Sequence, residues 1–167
     1  MGKLIQVATN TVTSVVASVT LTGIDSDDVY MVTYSGYTPT VDSQLRIRFT
    51  VSGSADTSAN YDFAYKTLIA SQAFSNASAT NQTYFYSVFI GTATNSMTNG
   101  ILYLYNFNNA SEYSFATIED TGINSAGNLQ SPQGGMVLTV AQACDGIQFF
   151  NDNGNIEAGT FTLYKVV

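Results

Sequence analysis

Three acidic residues in one short segment have the types and spacing best suited to chemistry. Residues 23–28 read Gly-Ile-Asp-Ser-Asp-Asp and place Asp25, Asp27 and Asp28 between two apolar stretches. Hard cations such as Ca²⁺ bind several carboxylates that lie close together, but an EF-hand loop also needs a central glycine and a distal glutamate, which are missing here. We therefore favour a solvated turn in which Asp25 or Ser26 caps backbone N–H groups, and we leave ion binding open.

Paired carboxylates are the other chemistry to consider. A glycoside hydrolase needs two carboxylic acids at a fixed separation across a cleft. The sequence supplies further acids without pairing any two of them, such as Asp62, Glu112, Glu119, Asp120, Asp145 and Glu157. The chain has no histidine and no G-x-S-x-G motif, which removes the usual neutral-pH base and the serine nucleophile elbow. We expect no catalytic residue and no enzymatic activity.

The cysteine and glycine content argues against cofactor or metal chemistry. Cys144 is the single cysteine, so neither an internal disulfide nor a cysteine-rich zinc site can form. No activating neighbour is visible, and we interpret Cys144 as a small structural residue at a strand edge in a reducing cytoplasm. No predicted helix follows Gly134-Gly135, so this pair is not a phosphate loop. We expect no metal and no cofactor.

Composition narrows the range of partners. The formal net charge is -7, and only five residues are basic. Five cations cannot form a phosphate-binding patch, so we expect neither nucleic acid nor anionic membrane as a partner. No apolar run approaches the roughly 20 residues of a membrane-spanning helix, and the first residues do not resemble a signal peptide.

Tyrosine is abundant, with 11 residues beside 10 phenylalanines. Tyrosines stack on sugars and anchor protein interfaces, but they also fill sandwich cores and cross-strand ladders. We expect most of them in the core and a minority at subunit contacts. The residues concerned are Tyr30, Tyr34, Tyr61, Tyr65, Tyr84, Tyr86, Tyr103, Tyr105 and Tyr113.

The elements that must position these residues are strands, because apolar residues recur with a period of two. In 44–52, Leu45, Ile47, Phe49 and Val51 alternate with polar residues, whereas a helix would scatter them around its circumference. The same alternation directs two further sets of side chains towards the core: Val15, Ala17, Val19 and Leu21 in 14–22, and Tyr61, Phe63 and Tyr65 in 60–67.

The remaining strands bring the number to about ten. Segments 84–90 and 101–107 are apolar at nearly every position, which predicts burial on both faces or contact with a neighbouring subunit. Short, regularly spaced strands are typical of an all-β sandwich or barrel, and 167 residues suit one domain, 1–167. Further strands are predicted near 4–8, 29–34, 113–118, 136–141, 147–150 and 160–166.

Turn residues separate these strands. Asn99-Gly100, Asp145-Gly146 and Asn153-Gly154 accept the positive φ of tight turns, and the last pair predicts a terminal hairpin. Longer surface loops are predicted at three segments rich in Ser, Ala, Asn and Gly, namely 52–59, 71–80 and 120–135.

Several motifs together resemble a known family. The sequence carries LTGID at 21–25, VYMVTYSG at 29–36, LRIRFTVSG at 45–53, NGILYLYN at 99–106, GIQFF at 146–150 and GNIEAGTFTLYKV at 154–166. In this order they are similar to the β-sandwich structural proteins of tailed bacteriophages, a group that includes head-decoration and tail-fibre domains. The resemblance covers roughly residues 20–166.

The resemblance implies an antiparallel jelly-roll-like sandwich, a homotrimer and a place on a virion. Because the domain begins almost at Met1 without a fibre shaft, we expect a capsid decoration or cement protein that binds the outer shell. Its partners would be the major capsid protein or other virion proteins, after assembly in the host cytoplasm. Residues 1–10 are expected to be an N-terminal arm that clamps a neighbour by strand addition.

The alternative is a receptor-binding module of a tail fibre that binds a glycan on the host surface. The same fold and the tyrosine-rich surface support this interpretation. The motifs of the resemblance read as fold determinants, and the sequence assigns no contact residue to either function.

Overall fold

The structure, a computed structural model, describes residues 2–70 and 73–167. This part of the chain forms thirteen β-strands and no helix, which confirms the all-β fold, although the sequence predicts only about ten strands. The strands are β1 (Leu4–Val12), β2 (Ser18–Thr22), β3 (Tyr30–Pro39), β4 (Ser43–Val51), β5 (Ser54–Ala55), β6 (Tyr61–Ile69), β7 (Ser75–Gln82), β8 (Phe85–Ile90), β9 (Thr98–Tyr105), β10 (Ser114–Ile123), β11 (Leu129–Leu138), β12 (Gly146–Asn151) and β13 (Ile156–Val166).

The strands form two antiparallel sheets that pack as a β-sandwich. The larger sheet has eight strands in the order β1-β13-β3-β9-β10-β11-β6-β7. The smaller has five strands, in the order β2-β12-β4-β5, with β8 also paired with β4. The fold is therefore an antiparallel sandwich, as the alternating sequence pattern predicts.

Strand β4 shows how this alternation builds the core. Leu45, Ile47 and Phe49 are completely buried, while Arg46 and Arg48 between them lie half-buried on the other face. Successive side chains of a strand point to opposite faces, so a period of two places every second residue between the sheets. The predicted inward positions of this strand are confirmed up to Phe49.

The core between the sheets is rich in aromatic rings. The ring of Phe49 lies 4.3 Å from that of Phe107, 5.1 Å from that of Phe85 and 5.8 Å from that of Tyr61. At such spacings tilted and edge-to-face pairs add about 0.5–1.5 kcal/mol to the stabilisation from burial alone. Because Tyr61 comes from the larger sheet and Phe49 from the smaller, this cluster joins the two layers.

The alternation predicted for 14–22 holds only in its second half. Val19 and Leu21 are buried, but Val15 is 52% exposed and Ala17 is also exposed. Strand β2 begins at Ser18, and the residues before it cross from one sheet to the other. The prediction that Val15 and Ala17 face the core is therefore wrong, because a crossing segment has no fixed inner face.

All three predicted surface loops contain strand residues. Segment 120–135 is the end of β10 and most of β11, joined by a turn at 124–128, and segment 52–59 contains β5. Segment 71–80 is wrong from Ser75 onwards, where β7 begins; its first two residues lie outside the described residues. Backbone hydrogen bonds hold these strands to their neighbours, so polar and small side chains on the solvent face do not prevent pairing.

Two of the predicted glycine turns have different outcomes. Gly154 has a φ of 65° between β12 and β13, so the turn at Asn153-Gly154 is confirmed. The predicted terminal hairpin is wrong, because β12 belongs to the smaller sheet and β13 to the larger, and the turn carries the chain from one sheet to the other. Asn99-Gly100 is not a turn, because both residues lie inside β9. A Cβ atom at Gly100 would collide with the Tyr34 ring and the Asp120 carboxylate, so glycine is required here for space.

The expected N-terminal arm is part of the larger sheet. Residues 4–12 form β1, which pairs antiparallel with β13 from Leu4↔Val166 to Val12↔Gly159. The segment is therefore not a free arm in this structure; it is an edge strand with one unpaired side.

The part of the chain that the structure describes contains no helix long and apolar enough to cross a membrane.

Candidate binding surface

Lys165 of β13 lies among the acids of segment 23–28. Its Nζ atom is 2.8 Å from Asp28 Oδ2 and 4.0 Å from Asp25 Oδ1, and it donates to Ser26 Oγ at 2.8 Å. Tyr30 donates its hydroxyl hydrogen to Asp25 Oδ1 at 3.0 Å. The ammonium group therefore occupies the space between these two carboxylates that a bound cation would need.

The third acid of the segment points elsewhere. Asp27 accepts a hydrogen bond from Asn109 Nδ2 at 3.0 Å. The hydrogen bond from Lys165 holds the pKa of Asp28 below its usual value. Across residues 2–70 and 73–167, no group of three or more His, Cys, Asp and Glu side chains is arranged to hold a metal ion. The segment is a turn tied down by Lys165 rather than by the backbone caps that the sequence predicts.

The other acids are spread over separate elements. Asp145 accepts from Thr50 Oγ1 at 2.6 Å and from the Gly53 backbone N–H at 2.7 Å, and so fixes the end of β4. Glu119 and Asp120 are adjacent in β10 but point to opposite faces of the sheet. The rest lie on β6 (Asp62), in the segment before β10 (Glu112) and on β13 (Glu157).

One acid, Asp120, is buried between the sheets in a segment that the sequence predicts to be a loop. Asp120 is only 2% exposed and accepts hydrogen bonds from the hydroxyl groups of Tyr34 and Ser87. Burial raises the pKa of Asp120 to about 8 and raises that of Tyr34 well above its ordinary value. Asp120 is therefore largely protonated at neutral pH and acts as a buried polar link between β10, β3 and β8.

The sequence contains a signal for this cluster. In β10 the residues Ala116 and Ile118 face the core, and a period of two places Asp120 and Gly122 on the same face. A buried carboxylate needs partners and space, and the nearby Gly100 provides the space. The interpretation of residue 120 as the start of a loop obscured this pattern.

Cys144 lies just before β12 and is 1% exposed. Ser114 Oγ lies 3.5 Å from the Cys144 sulfur. The backbone N–H of Cys144 donates to the Phe107 carbonyl at 2.6 Å. Burial raises the pKa of the thiol to about 11, so it stays protonated near neutral pH. These contacts support the structural role that the sequence indicates.

The outer face, meaning the side of the eight-stranded sheet turned away from the smaller sheet, carries apolar side chains in register. Phe115 pairs with Tyr105 on one side and with Val137 on the other. One row further along, Tyr103 pairs with Met31, which pairs with Tyr164. We call Tyr103, Tyr105, Phe115 and Val137 the aromatic patch.

Much of the aromatic patch is open to solvent. Tyr103 is 38% and Phe115 43% exposed, while Tyr105 and Val137 are partly exposed. Met31 lies outside the core cluster yet is only 7% exposed, since it sits directly between Tyr103 and Tyr164. The sequence predicts that both faces of 101–107 are buried or contact a neighbouring subunit. In the isolated chain the outer face of this segment is exposed, so it is accessible to a partner.

A shallow groove runs beside the aromatic patch. It has a volume of about 760 Å³ and extends from Tyr105 and Phe115 across β11 and β6 to β7. Small outward-facing residues, Ala64, Ser78 and Gly135, lie along it, so the backbone comes close to the surface. The groove is lined by small residues on one side and by the aromatic rings of Tyr105 and Phe115 on the other. A rigid surface of this shape can bind a complementary protein surface.

The other side of the sandwich presents a different chemistry. Both arginines of the chain lie on the solvent side of the five-stranded sheet, with Arg46 4.0 Å from the centre of the Tyr84 ring and Arg48 4.3 Å from that of Phe150. Arg46 is also 3.8 Å from Asp152. We call Arg46, Arg48, Tyr84 and Phe150 the arginine face.

The tyrosines divide between core and surface. Tyr30, Tyr34 and Tyr61 are buried, whereas Tyr103 and Tyr113 are exposed. Of the others, Tyr65 and Tyr86 pack against the edge of the core, Tyr84 belongs to the arginine face and Tyr105 to the aromatic patch. Tyr37 is buried as well, so six of the eleven tyrosines lie in the core or pack against it, and the prediction that most of them pack in the core is confirmed by a small margin.

Comparison with known proteins does not identify a family. No family model matches the sequence, and no curated protein matches it. Among solved structures, the chain is similar at a TM-score of 0.27 and 9% sequence identity to an exo-inulinase from Aspergillus awamori. The match covers 97% of this chain and 29% of that enzyme, and at this level it supports no functional argument.

Proposed function

We propose that this protein is a non-catalytic structural subunit of a virus particle, most specifically a capsid decoration protein that binds the outer shell as a homotrimer. The observation that carries the proposal is the aromatic patch, a set of exposed apolar side chains held in register on a rigid sheet. Contiguous exposed apolar surface of this kind marks protein contact sites.

The chemistry of the aromatic patch favours a protein partner. Aromatic residues are enriched and charged residues depleted at the centres of protein interfaces. The four residues of the patch are uncharged, and Asp62, which pairs with Val137, is an acid at its rim. Binding through such a surface would stabilise a shell by mass action, since a ligand that binds only the assembled state shifts the equilibrium towards it.

The sequence resemblance to phage β-sandwich proteins supports the location and the trimer. Two features of the fold agree with that role: the rigid sandwich and the large uninterrupted sheet. The resemblance and the aromatic patch together favour attachment to a capsid over a catalytic role.

The test measures binding of the purified protein to particles of the same virus that were assembled without this protein. Phe115→Ser should reduce binding at least tenfold, because it removes the centre of the aromatic patch. The matched control is Phe89→Ser on the smaller sheet, since Phe89 is 40% and Phe115 43% exposed. Absence of binding by the wild-type protein, or equal loss in both variants, would contradict the proposal.

A second candidate, glycan binding, is favoured by the arginine face. Aromatic rings stack on sugars, and two guanidinium groups on one face of an acidic protein can hold the carboxylates of an acidic polysaccharide. Titration with acidic and neutral polysaccharides tests this function. Binding of the acidic polymer that Arg48→Gln weakens and Lys66→Gln leaves unchanged would support it, and no binding at millimolar sugar would exclude it.

A further inference from the structure

The two ends of the eight-stranded sheet are long edge strands without the usual protection. Folded proteins guard exposed edges with charged residues, proline or very short strands. Strand β7 has eight residues and β1 has nine, and neither contains a charged residue or a proline. The smaller sheet instead ends in short strands, such as β2 with five residues and β5 with two.

Both edge strands keep one side free for pairing. Within the described residues, the backbone of β7 pairs with β6 and that of β1 with β13, and neither strand makes a backbone hydrogen bond to a further element. Each edge strand has one irregularity near an end: β1 has a bulge between Gln6 and Ala8, and β7 has one between Ala79 and Gln82, where Asn81 has a φ of 56°. Residues 8–12 and 75–79 therefore form the regular edges. Unpaired N–H and C=O groups in a regular row are a template for another strand.

The topology makes these two edges complementary in direction. Each of the seven neighbouring pairs in the larger sheet is antiparallel. Strand β7 therefore runs opposite to β1. If a second copy continues the sheet with its outer face on the same side, its β1 lies antiparallel to the β7 of the first copy.

We propose that copies of this chain associate edge to edge, with β7 of one subunit pairing with β1 of the next. The inference rests on the proposed trimer, because a ring of three equal subunits requires a head-to-tail interface and cannot be built from like-with-like contacts. A closed ring of this kind leaves no edge of the larger sheet unpaired. The absence of charge on both strands avoids like-charge contacts at the junction, while the net charge of -7 still repels the subunits at longer range.

Face continuity limits the register to pairings in which both side chains lie on the outer face. Thr9 pairs with Thr162, next to the core pair Ala8↔Leu163, and so points to the outer face. Ser78 pairs with Ala64 and lies in the outer-face groove. Centring the two strands on each other places Thr9 of one copy opposite Ser78 of the next, on the same face.

Disulfide cross-linking tests the junction. Paired residues on neighbouring strands have Cα atoms about 4.5–5.5 Å apart, within the range of a disulfide. A mixture of Thr9→Cys and Ser78→Cys proteins should give a covalent dimer on oxidation, and each single variant alone should not. Two further variants, Asn76→Cys and Thr80→Cys, are each mixed with Thr9→Cys. They detect a register that is shifted by two residues in either direction.

Thr117→Cys is the matched control, since Thr117 is exposed on the same face but lies on the central strand β10. It should not cross-link with Thr9→Cys. The wild-type protein should also stay uncross-linked because Cys144 is buried.

Two results would overturn the inference. Dimers formed by Ser78→Cys alone would indicate β7–β7 pairing, and no cross-link at any of the three β7 positions would exclude the junction. The particle-binding assay with Phe115→Ser does not involve these edges. Binding without cross-linking would therefore reject only the edge-to-edge contact, and cross-linking without binding would reject only the particle role.

Discussion

At the scale of single residues, Asp120 and Gly100 form one structural unit. The missing side chain of Gly100 makes room for the Asp120 carboxylate and the Tyr34 ring. The hydroxyl groups of Tyr34 and Ser87 then lie against the two carboxyl oxygens inside the core. When the acid is protonated, its O–H donates to one of these hydroxyl oxygens and its other oxygen accepts from the second hydroxyl. A buried acid of this kind is tolerated because it is hydrogen-bonded and protonated, and this has a consequence for stability.

Stability should fall as the pH rises from about 4 to about 8. Burial raises the pKa of Asp120 from 3.8 to about 8, so in this window the folded protein keeps a proton that the unfolded chain has lost. The free energy of unfolding should then decrease by up to about 1.4 kcal/mol per pH unit from this group and level off above pH 8. Urea denaturation at several pH values between 4 and 9 measures the slope.

Asp120→Asn should remove most of this pH dependence, because the amide cannot ionise yet can still bond to Tyr34 and Ser87. Between pH 5 and pH 9, the free energy of unfolding should fall less for the variant than for the wild type. Asp62→Asn, on the solvent side of β6, is the control and should leave the slope unchanged. Parallel pH profiles for the wild type and Asp120→Asn would contradict the assignment.

Gly100→Ala should destabilise the fold by about 1–3 kcal/mol, since its methyl group enters occupied space. Gly135→Ala is the matched control: it lies on a strand of the same sheet, and its Cβ would meet only a backbone oxygen 3.8 Å away. Thermal and urea unfolding of the two variants measure the difference. Equal stabilities would mean that the Asp120 cluster does not depend on the gap at Gly100.

At the scale of elements, alternation predicts the strands that bury one apolar face. Leu45, Ile47 and Phe49 of β4 follow a period of two, so both the strand and its inner face could be predicted. Strand β7, with the sequence SNASATNQ, has only Ala77 and Ala79 on its inner face and is held mainly by backbone pairing with β6. Two alanines are too weak a local pattern to distinguish it from a loop. Tertiary pairing decides such strands.

The same limit applies to the candidate surface. The apolar surplus of 101–107 is visible in the sequence, and it predicts either burial on both faces or a subunit contact. That Tyr103 and Tyr105 lie beside Phe115 and Val137 depends on the register of β9, β10 and β11, which no single segment encodes. The edge positions of β1 and β7 likewise follow only from the order of strands in the sheet.

Hydrogen exchange should distinguish the edges from the centre of the larger sheet. In dilute protein, the outward amides of β1 and β7 have no backbone partner and should exchange within the dead time, while those of β9 are protected. At concentrations where subunits associate, both edge strands should gain protection together. Protection of β7 alone would contradict the head-to-tail junction.

At the scale of the whole molecule, most of the charge lies away from the edge strands and the aromatic patch, with Asp62 at the rim of the patch as the exception. The net charge of -7 is carried by 12 acids and 5 bases, while the aromatic patch and both edge strands are uncharged. Two subunits repel one another because both carry a negative net charge. The uncharged surfaces add no like-charge contacts where the subunits meet. This separation predicts how salt should act on assembly.

Raising the ionic strength from about 0.01 M to about 0.15 M should strengthen self-association. Salt shortens the Debye length from about 30 Å to about 8 Å and so screens the repulsion, whereas backbone pairing and apolar contact are little affected. Light scattering of the purified protein across this range measures the change in mean mass. Dissociation on adding salt would indicate an interface built on ion pairs.

The most direct test of the central claim, that the aromatic patch is a protein contact surface on a virus shell, is a cryo-electron microscopy map of the assembled particle. We predict density for this sandwich on the outside of the capsid, with Tyr103, Tyr105, Phe115 and Val137 against the shell protein. A particle without this protein, or one in which these side chains face solvent, would contradict the account.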